Sequence, residues 1–114
     1  MVVQHFDLNM IPGDVIPEID ISQQDTGSGR LVAHLFQKSE EYAPIGSAVI
    51  QGTRADGVTF RHNAEIAGSS VVSDIFADMT AASGQARVQV VITEGTNRTG
   101  SGVFFLNVQR GAGQ

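Results

Sequence analysis

The feature that most constrains the fold of this chain is the alternation of apolar and polar side chains between Gln85 and Glu94. Successive side chains of a β-strand point to opposite faces, whereas an amphipathic helix repeats every three or four residues. The alternation therefore predicts a half-buried strand. Its inward residues are Ala86, Val88, Val90 and Ile92, and its outward residues are Arg87, Gln89, Val91 and Thr93. A last strand, with the same period, places Phe104, Leu106 and Val108 inward and Phe105 and Asn107 outward.

Shorter runs predict strands earlier in the chain. One strand is expected to bury Val15, Ile19 and Ile21 and to expose Glu18 and Asp20. The run Arg30–Phe36 has apolar residues on both faces, which is typical of a central strand. Ser47–Thr53 and Val58–Phe60 flank the turn signal Ala55-Asp56-Gly57, which predicts a hairpin.

The middle of the chain predicts two further strands and one helical turn. Asn63–Ala67 and Ser70–Ile75 are joined through Gly68-Ser69. Ile75, Phe76 and Met79 have helical spacing, so a short helix is expected within Asp74–Ala82, with Gly84 ending it. A polar loop is expected from Gly95 to Gly102. About eight short strands and little helix predict an antiparallel β-sandwich, with a small barrel as the alternative.

Size and composition exclude several classes of function. The 114 residues predict a single domain over residues 1–110, followed by a Gly-rich tail or linker over residues 111–114. There is no cysteine, which excludes disulfides, thiolate metal sites and a thiol nucleophile. The net charge of −5 argues against nucleic acid as a partner. No apolar run reaches the roughly 20 residues of a membrane span, and the N-terminus is not typical of a signal peptide, so synthesis in the cytoplasm is expected.

No catalytic, cofactor-binding or metal-binding residues are predicted. His5, His34 and His62 do not have the spacing that places two imidazoles on one face of an element. Glu18 and Asp20 are interpreted as solvated charges of a strand face. The segment Gly27-Ser28-Gly29-Arg30 lacks the third glycine and the helix of a phosphate-binding loop. The sequence thus predicts a protein that is not an enzyme.

Two apolar residues stand on predicted outward faces, where polar residues are usual. Val91 and Phe105 are therefore candidates for a protein–protein interface, because exposed apolar patches mark association. Cover from a loop, or a shifted register, is the alternative explanation.

Three stretches of the sequence, in order, resemble the N-terminal domain of the phage baseplate upper protein family of Gram-positive tailed phages and prophages. They are Asn9–Gly13 with Ile21–Asp25, Ile50–Gly57 with Phe60, and Asp78–Gly84 with Gly100–Phe104 and Val108. The chain departs from the family pattern at Arg54-Ala55, where Lys-Pro is usual, at Gln24 and at Ser101-Gly102. The stretches span about residues 5–109.

The resemblance implies an all-β, immunoglobulin-like sandwich of seven or eight strands that forms part of the tail baseplate of the virion. It implies docking to other tail proteins, so that the tail core is linked to receptor-binding proteins, and a homo-oligomer, usually a trimer. From the residues themselves, no cofactor, nucleic-acid partner or membrane association is expected. Immunoglobulin-like and jelly-roll strand orders are both compatible with the strand count.

Two other functions remain open from the sequence. A carbohydrate-binding sandwich at the tail tip is the first, although Tyr42 is the only Tyr and there is no Trp for stacking on sugars. A small hydrolase that uses His34 or His62 with nearby carboxylates is the second, and no motif supports its geometry.

Overall fold

The computed structural model describes residues 2–10, 16–22, 29–37, 40–95 and 97–109, with the backbone alone at residues 2 and 97–101. Within these ranges the chain forms nine strands and one short helix. In chain order the elements are β1 (Val2–Asn9), β2 (Glu18–Ser22), β3 (Gly29–Gln37), β4 (Glu40–Glu41), β5 (Ser47–Thr53), β6 (Thr59–Ala67), β7 (Ser70–Asp74), α1 (Ala77–Thr80), β8 (Gly84–Glu94) and β9 (Asn97–Gln109).

The strands form one continuous, barrel-like sheet with mixed pairing. Its order is β1-β3-β7-β6-β5-β8-β9-β2, and β4 adds a two-residue ladder to the end of β3. At each end of this order the outermost pair is parallel, β1 with β3 and β2 with β9, while the inner pairs are antiparallel. The all-β prediction is confirmed, but the wholly antiparallel immunoglobulin-like sandwich is not what the structure shows. The alternation of apolar and polar residues predicts which segments are strands and which face of each strand is buried. The direction in which two strands pair depends instead on which distant segments lie side by side in the fold.

Strand β6 bends the sheet, because it pairs with a different neighbour along each part of its length. Residues 59–64 pair with β5, and residues 65–67 pair with β7. Sequence analysis predicted two strands here, Val58–Phe60 and Asn63–Ala67, and the structure has one. No turn-forming residue separates the two runs, so the backbone continues through Arg61 and His62. The predicted hairpin between β5 and β6 is confirmed, and Gly57 has the positive φ of +88° that its turn requires.

The core lies between the two halves of the bent sheet and is made by the predicted inward faces. In β8 and β9 every predicted inward residue is buried. In β3 the side chains of Leu31, Ala33 and Leu35 are buried, and those on the opposite face are mostly half-buried. This agrees with the prediction of a central strand, since β3 lies between β1 and β7 in the sheet. Ile19 and Ile21 of β2 are buried and Glu18 is exposed, as predicted. Val15 and residues 111–114 lie outside the described residues.

The structure corrects several boundaries and adds two strands. Sequence analysis did not identify β1 or β4, although Phe6 and Leu8 of β1 alternate with exposed His5 and Asp7. The predicted polar loop to Gly102 is mostly strand, because β9 begins at Asn97 and pairs with β8 across a register shift at Ile92/Thr93. The short helix is present, but it ends at Thr80, with Ala81 as its C-cap. Gly84, with φ of +118°, opens β8 instead of ending the helix.

The two ends of the strand order are brought together by β1, which packs across β9. A Cβ atom at Gly102 of β9 would lie 2.9 Å from Leu8 and 3.0 Å from Met10, so a larger residue there would force these two side chains to move. Phe6 of β1 contacts Phe104 of β9, with ring centroids 4.7 Å apart. Gln4 of β1 also donates a long hydrogen bond of 3.4 Å to the backbone carbonyl of Asp20 in β2. These contacts make the sheet barrel-like.

No helix within the described ranges has the length and apolar character needed to cross a membrane.

We expect Gly102→Val to lower the free energy of unfolding by about 1–3 kcal/mol, because the added methyl groups overpack the site occupied by Leu8 and Met10. Urea denaturation measures this change. In a Leu8→Ala background the cost of the same substitution should shrink, since the smaller side chain makes room. An equal cost in both backgrounds would show that Gly102 does not govern the packing of β1.

Candidate interaction surface

The candidate interface residues lie on the outer face of the half-sheet formed by β6, β5, β8, β9 and β2. Strand register arranges this face in rows that run across the strands. One row contains Val49 of β5, Val91 of β8 and the backbone position of Ser101 in β9. The next row contains Gln51, Gln89 and Val103, and the third contains Thr53, Arg87, Phe105 and Glu18.

Val91 points outward but is almost covered, with 5% of its surface exposed. It does not belong to the core cluster that contains its neighbours Val90 and Ile92, and its cross-strand neighbour Val49 is half-buried. Its outward position agrees with the alternation of β8. Val91 itself therefore offers little accessible surface to a partner.

Phe105 is half-buried at the centre of the third row, between Arg87 of β8 and Glu18 of β2. Its amide donates a hydrogen bond of 2.8 Å to the carbonyl of Pro17, which ties β9 to the start of β2. Together with Val49, Val91 and Val103 it forms a band of apolar side chains that we call the outer patch. The structure thus places both candidate residues in one continuous band on one face.

A polar network borders the outer patch on the side of β2. The side-chain amide of Gln85 donates to Asn107 Oδ1 and to Glu18 Oε1, each at 3.2 Å. The amide of Asn107 donates in turn to Asp20 Oδ1 at 3.0 Å and to Glu18 Oε1 at 3.4 Å. Glu18 and Asp20 are exposed carboxylates that accept hydrogen bonds from neighbouring strands, which agrees with their interpretation as charges of a solvated strand face.

Two of the three histidines meet on the outer face of the other half of the sheet. His5 of β1 and His34 of β3 stack with ring centroids 5.4 Å apart, and His5 Nδ1 lies 3.2 Å from His34 Nε2. The hydroxyl of Ser70 in β7 is 3.0 Å from His34 Nδ1. The sequence contains no signal for this contact, because the three residues lie on separate strands that only the topology brings together.

The third histidine, His62 of β6, contacts the segment between β7 and β8 that contains α1. We call this segment the α1 connector. His62 Nε2 lies 2.7 and 2.8 Å from the two carboxylate oxygens of Asp78, and the His62 ring stacks on Phe76 with centroids 3.9 Å apart. Arg54 approaches the same connector, and its Nη1 donates to the backbone carbonyl of Asp78 at 3.2 Å. The histidine and the arginine together fix the connector against the end of the β5–β6 hairpin.

Arg54 also forms a two-point ion pair with Asp56 inside the hairpin turn. Its Nε lies 3.0 Å from Asp56 Oδ1 and its Nη2 lies 2.7 Å from Oδ2. These hydrogen bonds from Arg54, with a smaller contribution from the Val58 amide, lower the pKa of the Asp56 carboxyl. Sequence analysis identified the turn but not this ion pair.

No set of three or more His, Asp or Glu side chains in the described part of the chain is placed to hold a metal ion. His5 and His34 lie far along the sheet from His62, which interacts with Asp78 instead.

We expect His62→Ala to loosen the α1 connector, because it removes both the hydrogen-bonded contact with Asp78 and the stack on Phe76. The free energy of local opening should fall by about 1–2 kcal/mol. Amide hydrogen exchange at Met79, whose N–H donates to the Phe76 carbonyl, reports this opening. His5→Ala is the matched control, since it removes a stacked imidazole elsewhere. Unchanged exchange at Met79 in His62→Ala would contradict the assigned role.

The chain matches no protein family, and no curated protein resembles it in sequence closely enough to match. Among solved structures it is similar to the N-terminal domain of phage TP901-1 ORF48, with a TM-score of 0.71 at 12% sequence identity. The match covers 96% of this chain and 99% of that domain. The two chains therefore share one fold over nearly their whole lengths.

Proposed function

We propose that this chain is a non-enzymatic structural module of a phage tail baseplate, which docks to other tail proteins in the virion and assembles as a homo-oligomer. The observation that carries the proposal is the shared fold with the N-terminal domain of a phage protein over 96% of this chain. The order of the three sequence stretches that resemble the baseplate upper protein family adds a second, independent line of support.

Two of those stretches contact each other in the structure. Arg54 lies in the turn of the second stretch, and its guanidinium donates to the carbonyl of Asp78, the first residue of the third stretch. Arg54 stands where the family has lysine, so the positive charge is kept at this contact. The second and third stretches thus meet in the fold, at a position where the chain keeps the positive charge of the family pattern.

The outer patch is the surface that we propose for docking or self-association. Its residues lie in consecutive rows of three adjacent strands, and Phe105, at the end of the band, is only half-buried. An accessible aromatic residue in an apolar band that is bordered by polar side chains is a common feature of protein–protein interfaces.

Phe105→Asp is expected to leave the chain folded and to reduce self-association or docking, because it places a carboxylate in the outer patch beside Glu18. Size-exclusion chromatography with light scattering, over a wide range of protein concentration, measures the mass of the assembly. Val3→Asp is the matched control, since Val3 is 43% exposed on β1, at the opposite end of the strand order. An oligomer of unchanged mass in Phe105→Asp would count against an interface at the outer patch.

The location in the virion has a direct test. Antibodies raised against the chain, coupled to gold particles, should label the tip of intact tails in electron micrographs. Labelling absent from intact tails, with the chain found only in the lysate, would overturn the baseplate proposal.

A further inference from the structure

A polar groove of about 440 Å³ crosses the outer face of β6, β5 and β8, next to the outer patch. Two rows of side chains line it. Arg61, Gln51 and Gln89 form one row, and Thr59, Thr53 and Arg87 form the other. The volume is within the range of ligand-binding sites. We call this feature the arginine groove.

Within the described part of the chain, no carboxylate neutralises the charges of the arginine groove. Four arginine side chains are described, and two of them form ion pairs, Arg30 with Asp74 at 3.2 Å and Arg54 with Asp56 at 2.7 Å. The other two, Arg61 and Arg87, have no carboxylate within ion-pair distance among the described residues. Although the chain has a net charge of −5, the two described arginines without an ion-pair partner, Arg61 and Arg87, line the same groove. Guanidinium groups bind carboxylates through two parallel hydrogen bonds, so the groove suits an acidic ligand.

The middle of the groove can bind amide groups. The side chain of Gln51 donates a long hydrogen bond of 3.4 Å to Gln89 Oε1, and no other partner is present for Gln51 Oε1 or for the Gln89 amide among the described residues. These atoms supply one acceptor and two donors between the arginines. A polypeptide backbone offers the complementary donors and acceptors.

The spacing of the two arginines indicates the length of the ligand. Arg61 and Arg87 lie on strands separated by β5, in adjacent rows of the register. With strands about 4.8 Å apart and two residues along a strand covering about 7 Å, their Cα atoms are about 12 Å apart. An extended peptide covers about 13 Å in four residues. Carboxylates at positions i and i+4 of an extended segment would therefore reach both arginines.

A saccharide is less well matched to this site. Among the described residues that line the groove, Phe60 alone is aromatic, and only 5% of its surface is exposed. It offers no ring face for a sugar to stack on. The recognition chemistry of the groove is charge and hydrogen bonding.

We propose that the arginine groove binds an extended acidic segment of a partner polypeptide, with carboxylates about four residues apart. The inference rests on the geometry of the groove and holds whether or not the chain is a baseplate component.

The test titrates the ¹⁵N-labelled chain with an acetylated, amidated peptide of sequence Asp-Ser-Gly-Ser-Asp. Chemical-shift changes are expected at the side chains of Gln51, Gln89, Arg61 and Arg87, with affinity that weakens as salt is added. The same peptide with both Asp residues replaced by Asn should bind at least about tenfold more weakly. Arg61→Gln and Arg87→Gln should each reduce affinity by a similar factor. Arg30→Gln, which removes an equal charge on the other half of the sheet, should have no effect.

Three outcomes would overturn the proposal. Equal binding of the Asp and Asn peptides would show that the carboxylates are not recognised. Equal shifts with inorganic phosphate, at the same affinity, would reduce the groove to a site for simple anions. Tighter binding of polygalacturonate than of the peptide, lost in Arg87→Gln, would assign the groove to an acidic saccharide.

Discussion

The closure of the sheet depends on the close approach of β1 and β9, where Leu8 and Met10 lie over Gly102. A side chain at Gly102 would force the side chains of Leu8 and Met10 to move. β1 and β2 are the two ends of the strand order, and no backbone ladder joins them among the described residues, so side-chain contacts such as Phe6–Phe104 hold β1 over β9. The absence of a side chain at Gly102 thus favours the approach by which a long, mixed sheet encloses one core.

The two faces of the sheet have different roles. This is possible because successive side chains of a strand point to opposite faces. The inner face is a continuous apolar core, whereas the outer face of the β6-β5-β8-β9-β2 half carries the outer patch, the polar network and the arginine groove. The outer patch and the groove meet at one row, in which Arg87 lies opposite Phe105. A partner that covers Phe105 would therefore also contact a guanidinium group that has no carboxylate partner in the described chain.

The polar contacts outside this face fix segments of the chain in place. His62 and Arg54 hold the α1 connector through Asp78, and the same arginine closes the hairpin turn through Asp56. One cationic side chain thus links a turn to a connector more than 20 residues away along the sequence.

The sequence by itself determined most of the strands, the buried face of each of these strands and much of the core. Alternation placed Val88, Val90, Phe104 and Leu106 inward, and all are buried, because a strand with one face in water has to repeat its apolar residues every second position. It also placed Phe105 and Val91 outward. Their different exposure did not follow from the sequence, since it depends on what lies beside each of them across neighbouring strands.

Apart from the hairpin of β5 and β6, which its turn residues predicted, only the tertiary structure decided which strands pair and in which direction. The parallel pairs of β1 with β3 and of β2 with β9 join segments that no local pattern relates. The same pairings create the contact between His5 and His34, and the β6-β5-β8 register brings Arg61 and Arg87 to one groove. Local residue pattern specifies the period and the buried face of a strand, but the neighbours of a strand are selected by the packing of the whole chain around its core.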